Sequence, residues 1–428
     1  MPRPSRFLLP ILGLLCLCAI AFFLIRAEKN PIGKRAETTF LNSIIRPFRK
    51  ERPPRPSRPL TREETQRAEA TGREWTKKFS ARFPELHVDW REIPDEQNGY
   101  LTLFRFAKQP PHPLPTSEEI QACLAPWNPE KARELLAKHA AVLAEVRRIS
   151  ALPPGSSAPT IPENPTGFVN ARPIKQSTDL LRISARLAAT ENDAITALSE
   201  TTAAWNLSSI LHHVDAGTLL GETVSVLVDL GIQKTIVAEI LPALGKEVDL
   251  ASWRKLIARH PRSATALADV MRGEWNTTTN LLHFSLIQDH LSGNLSDPEP
   301  TATAIAYSFA KTIRALREDS RSVAGEKPPT FSGLSPEGNE YALTLTTGLN
   351  AWGKGYQRAA SIHALRLAAL DLLILEKSGT ALTAEITGKI SPEPATGRPF
   401  VFDASTRILS PPAGSDVPED VEPVKFPW

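Results

Sequence analysis

Residues 180–205 read LLRISARLAATENDAITALSETTAAW. Leu180, Leu181, Ile183, Leu187 and Ala188 fall mostly along one stripe of a helix, three or four residues apart. Glu191-Asn192-Asp193 breaks the pattern with three polar residues, and Ala194, Ile195, Leu198, Ala203 and Trp205 begin a return stripe. Two one-sided helices joined by a short polar turn make an αα-hairpin. The expectation is therefore a mainly α fold of antiparallel helical hairpins, packed as a bundle or an irregular α-solenoid.

Outward from that hairpin the same period recurs at Leu219 to Leu241, Leu250 to His260, Ser263 to Leu286, Ala302 to Arg317 and Tyr341 to Ser378. Upstream, Thr61-Arg-Glu-Glu64 has the form of a capping box and opens a helix to about Phe83, which Pro84 ends. Asn98 is placed to cap a helix over Tyr100 to Phe106, although alternation there equally fits a strand. Ser117 to Leu124 is a short helix, and Asn128-Pro129-Glu130 starts another that runs to about Leu152. Near the other end, residues 398–402 and 407–409 read as two short strands around a turn.

Composition divides the 428 residues further, because 38 prolines sit between the helix formers. The division is an N-terminal anchor at 1–26, a basic Pro-rich linker at 27–60, a helical region at 61–152 and a Pro-rich connector at 153–173. A main helical domain at 174–390, a β-hairpin at 391–410 and a disordered acidic tail at 411–428 follow. No fixed internal period supports a regular repeat array.

Phe7 to Ile25 carries no charge. At ~1.5 Å per residue it covers about 28 Å, the thickness of a bilayer's hydrocarbon, so residues 7–25 are expected to cross the lipid once as a transmembrane helix. The apolar run continues past the small residues Ala19-Ile20-Ala21, which favours an uncleaved anchor over a signal peptide. Leu15 and Leu17 stand before Cys16 and Cys18, where a lipoprotein signal needs small residues. Arg3 and Arg6 favour a cytoplasmic N-terminus, whereas Arg26, Lys29, Lys34 and Arg35 favour keeping the other flank inside. The basic Pro-rich stretch from Arg46 to Arg62 has no aromatic ladder, so it reads as a stiff spacer and nucleic acid is not an expected partner.

Each chemistry-bearing group was weighed against a structural role. Cys123, the only cysteine outside the apolar segment, supports neither a disulfide nor a thiolate zinc site. His212-His213-Val-Asp215 is the densest ligand-like cluster, but adjacent helical residues diverge by roughly 100°. His283 and His290 are too far apart for a two-ligand clamp, and His363 has no helical partner and reads as a half-buried core residue. Gly353-Lys354-Gly355 sits inside a helical pattern rather than in a phosphate loop, and Ser335 precedes a proline in a helix-start loop. Glu63-Glu64 and Glu118-Glu119 occupy first turns, where they complement the helix dipole. No catalytic, cofactor-binding or metal-ligating residue is assigned, and no cofactor or small-molecule ligand is expected.

Several segments together resemble a group of uncharacterised, signal-anchored helical proteins of planctomycete and verrucomicrobial bacteria. Ile93-Pro-Asp-Glu-Gln-Asn-Gly-Tyr100 is similar to that group's Pro-acid-acid-x-Asn-Gly element, and Leu180 through Leu198 to its Arg- and Ala-rich helix pair. Arg272-Gly-Glu274, Ala364 to Gly379 and Pro394-x-x-Gly-Arg-Pro-Phe400 resemble its later helices and closing hairpin, with Glu393 where the group has Asp. The closing hairpin also resembles that of pseudopilins, without their N-terminal hallmark. The resemblance implies a single-pass inner-membrane protein of the cell envelope with its body in the periplasm. It implies no activity. The expected role is a non-enzymatic scaffold that meets membrane lipid through residues 7–25 and a protein partner on its helical body. The alternatives are an envelope hydrolase with a metal site near His212 and a secretion or pilus accessory protein.

Overall fold

The computed structural model describes residues 60–88, 93–153, 171–211, 219–259, 263–318, 331–414 and 421–426. The anchor at 7–25, the basic spacer before Leu60, nearly all of the connector and the His212 cluster lie outside the described residues. Among the described residues no helix is long and apolar enough to cross a membrane.

The chain divides into two compact units, each made from two separate stretches. The first takes the described residues up to Val88 with Met271–Gly355, and the second takes Asp89–Val270 with Tyr356–Trp428. These units cut across the regions that composition marks out.

In the first unit, helix α1 (Arg62–Arg82) opens with the capping box: Glu64 N–H donates to Thr61 Oγ1 at 3.2 Å and Thr61 N–H to Glu64 Oε2 at 2.8 Å. Its buried residues Ala68, Gly72, Trp75 and Phe79 follow the four-three-four spacing of a single helical face.

The second unit begins with α2 (Gly99–Lys108), which settles the choice between helix and strand: Asn98 Oδ1 accepts Leu101 N–H at 2.9 Å. Gly99 is fixed by close approach, because a Cβ there would lie 2.4 Å from the Pro153 carbonyl oxygen. After α3 (Ser117–Leu124), the helix expected to reach Leu152 is two, α4 (Pro129–Lys138) and α5 (Ala140–Ser150). The break is His139, whose backbone leaves the helical region at ψ 25° while its buried ring reaches the Pro113 carbonyl at 3.1 Å.

Helix α6 (Ala171–Thr190) starts three residues before the expected boundary, with Pro173 tolerated in its first turn. It pairs with α7 (Ala194–Leu211) as the predicted hairpin. Asn192 adopts φ 60°, and Asp193 Oδ1 caps α7 by accepting Thr196 N–H at 2.9 Å. Helices α2, α3, α4, α5 and α7 all touch α6, so this unit is gathered around one central helix. Helix α8 (Leu219–Thr235) also packs on it, as does the short α9 (Leu241–Leu244) that follows a π-turn over Ile236–Ile240. That turn absorbs the hydrogen bond Pro242 cannot donate. Asp249 caps α10 (Leu250–Ile257).

Helices α11 (Ala264–Leu291) and α13 (Pro336–Lys377) each supply residues to both units, and α12 (Pro298–Glu318) belongs to the first. After α13 comes a three-stranded antiparallel sheet, β1 (Val401–Asp403), β2 (Ile408–Ser410) and β3 (Val424–Lys425), in that order. The hairpin was expected, but the third strand corrects the reading of 411–428 as a disordered tail. Val421 and Phe426 bury their side chains in the core of this unit, which anchors that part of the tail.

Candidate functional site

Helix α1 ends at Arg82-Phe83, and α12 runs past it in the same unit. Between them lies an open groove of about 530 Å³, lined by Arg82, Phe83, Thr303, Tyr307 and Phe331 among others. The Phe83 and Tyr307 rings stand 6.2 Å apart, tilted, and Tyr307 keeps 53% of its surface exposed. The Arg82 guanidinium lies 5.3 Å from the centre of the Phe83 ring. Glu299 on the rim is ion-paired with Lys78, whereas no carboxylate among the described residues pairs with Arg82. The groove therefore presents aromatic faces and one available cation, the chemistry that holds an apolar segment carrying an acid. Nothing in the sequence pattern marked it, since its walls come from residues more than 200 positions apart.

Beneath the surface of the same unit, His283 is fully buried between Trp75, Phe79 and Trp275, with ring centroids 5.4, 5.5 and 6.0 Å away. Its Nδ1 lies 3.2 Å from the Gly72 carbonyl, which can only accept, so Nδ1 carries the proton. Nε2 then accepts from the Thr279 hydroxyl at 3.3 Å. Burial pushes the ring's pKa down to about 4, so His283 is neutral at pH 7. It is a packed residue, while His290 at the end of the same helix is exposed and bonds the Leu295 carbonyl at 2.9 Å. The two histidines do not form one site.

Asp289 is buried and bonded by the Tyr341 hydroxyl; burial pushes the carboxyl upward against that bond, and burial also pushes the Tyr341 phenol upward. Ser335 caps the start of α13: its Oγ accepts Gly338 N–H at 3.0 Å and donates to Asp297 at 2.5 Å. That is the helix-start loop expected from sequence.

In the second unit, Cys123 is buried with its thiol 3.4 Å from the Glu119 carbonyl, and burial pushes its pKa up, the opposite of an activated thiolate. Glu119 sits in the first turn of α3, and its hydrogen bond from Lys138 pulls its pKa down to about 2. His363 is buried rather than half-buried, with Nδ1 3.0 Å from Gln233 Nε2. Gly353 and Gly355 lie within the continuous helix α13. Arg366, also on α13, donates to the Leu230 carbonyl at 2.6 Å; burial pulls its pKa down to about 10, opposed by the Glu422 carboxylate.

No group of three or more His, Cys, Asp or Glu among the described residues stands close enough to hold a metal ion. No protein-family model matches the chain, and neither does any curated protein or solved structure.

Proposed function

We propose that this protein is a non-enzymatic docking protein of a bacterial cell envelope, anchored in the inner membrane through residues 7–25. In this reading the body lies in the periplasm and its groove at Arg82, Phe83, Tyr307 and Phe331 receives an extended, acidic segment of a partner protein. The observation that carries it is the exposed Tyr307 beside an arginine with no carboxylate of its own. An arginine over an aromatic ring favours a carboxylate flanked by apolar or prolyl residues, because the ring shields the ion pair from water. The internal histidines, the buried aspartate and the lone thiol are tied up in packing and hydrogen bonds, which is support for a scaffold rather than for turnover.

Random peptides displayed on phage and selected against the full chain in detergent test the groove. The expected winners carry acidic residues and lose about tenfold or more in affinity with Tyr307→Ala or Arg82→Glu. Winners without acidic bias, or insensitive to both changes, would sink the proposal. A reporter fused after Trp428 tests the side of the membrane, with activity expected only in the periplasm. Stoichiometric zinc or iron in the purified chain would instead favour the hydrolase reading.

A further inference from the structure

The segment 421–426 is not simply the end of the chain. It lies along the edge of β2 with Leu409 opposite Val424 and Ile408 opposite Lys425, and Phe426 N–H donates to the Arg407 carbonyl at 3.0 Å. Three side chains fix it. Val421 is buried, Phe426 is buried 5.1 Å from the Phe402 ring, and the Arg407 guanidinium lies 5.6 Å from the centre of the Phe426 ring. Arg407 is itself held by two bonds of 2.8 Å to Glu376, so that wall is preformed by α13. Glu422 supplies the third fixture, as the carboxylate that acts on partly buried Arg366. Arg182, which shares that neighbourhood, is answered separately by Asp179 at 2.8 Å.

The geometry points to a strand-addition site on the edge of β2, closed by the chain's own residues 421–426, that receives an extended segment of a partner protein with the pattern apolar–acidic–x–apolar–x–aromatic. Backbone pairing along a sheet edge supplies affinity without sequence preference, and the pockets beside it supply the pattern. Here the pockets are those of Val421 and Phe426, and the charge is Arg366. The tail's own ladder is two residues long, so its hold is weak per chain and depends on being tethered. A partner segment is the occupant this favours over the tail of a second copy. Exchange between copies makes the same contacts while giving up the tether's effective concentration, so it leaves the closed chain preferred. A partner that continues beyond the aromatic position adds contacts the tail lacks.

The test uses a fluorescent peptide of residues 420–428 and the full chain in detergent, read by anisotropy. The peptide is expected to bind the full chain, and to bind a chain ending at Gly414 about tenfold or more tightly, because the closed fraction no longer competes. Glu422→Lys in the full chain loosens the tail in place and is expected to strengthen peptide binding without truncation, which guards against a misfolded short chain. Peptides carrying Phe426→Ala or Glu422→Lys are expected to lose about tenfold or more. Binding to the shortened chain but not to the full one would make the segment a fixed structural strand and overturn the proposal. So would binding that ignores both peptide changes. Concentration-dependent dimers of the full chain that Phe426→Ala abolishes would assign the edge to a second copy and overturn the partner reading.

Discussion

His283 shows how a single side chain couples the interior to pH. The unfolded chain holds this imidazole at an ordinary value near 6.5, whereas the aromatic cage lowers it to about 4. Between those values the unfolded state takes up a proton that the folded state refuses, so stability falls as pH drops from about 6.5 to about 4. Above the window the contribution is complete, and below it no more is lost. A shift of this size corresponds to roughly 3 kcal/mol. Asp289 in the same unit works in the other direction, since its raised pKa lets the folded state take a proton first. Urea unfolding of the parent and of His283→Phe across pH 4 to 7 separates the two. The parent should lose stability relative to the variant on acidification, and parallel curves would refute the assignment. The sequence placed His283 on a helix and judged it packed, but its cage is built from α1 and could not be read from spacing along α11.

Helices are the scale at which the sequence spoke most clearly, because caps and turns are local. The Thr61 capping box, the Asn98 cap, the 191–193 turn and the start at Asn128 each rest on residues within four positions of one another. The misread elements are those set by distant partners. His139 breaks a helix that would otherwise be continuous because its ring reaches Pro113, and β3 forms only because β2 and Phe402 are there to receive it. Burial also ranks the caps. Thr61 is exposed, so Thr61→Ala should cost about 1 kcal/mol, with water taking over the freed N–H groups. Asn98 is buried, so Asn98→Ala strands Leu101 N–H without solvent and should cost about 2 kcal/mol or more. Thermal unfolding of the two variants should place Asn98→Ala lower, and equal midpoints would show that water reaches the Asn98 site.

For the molecule as a whole, the sequence gave no sign that its compact units are discontinuous. Composition grouped 61–152 as one region, since proline content drops inside it and rises at 153–173. The packing separates α1 from α2–α5: Asn276 Nδ2 bonds the Leu86 carbonyl at 2.8 Å across 190 positions, and Phe79 meets Trp275 at 6.3 Å between ring centroids. Meanwhile Leu103, Val142 and Ile149 join a core that includes Leu180 and Trp205. Cutting after residue 152 therefore removes the partners of both sets at once. Hydrogen exchange read by mass spectrometry makes the point measurable. In the full chain the amides of 62–82 should be protected, because the Trp75–Phe79 face is buried. In a fragment spanning 60–152 the same amides should exchange almost completely, since a lone helix of this length is marginal in water. Equal protection in the fragment would mean that α1 is held by α2–α5, contrary to the division into units, and would restore the boundary that composition suggests.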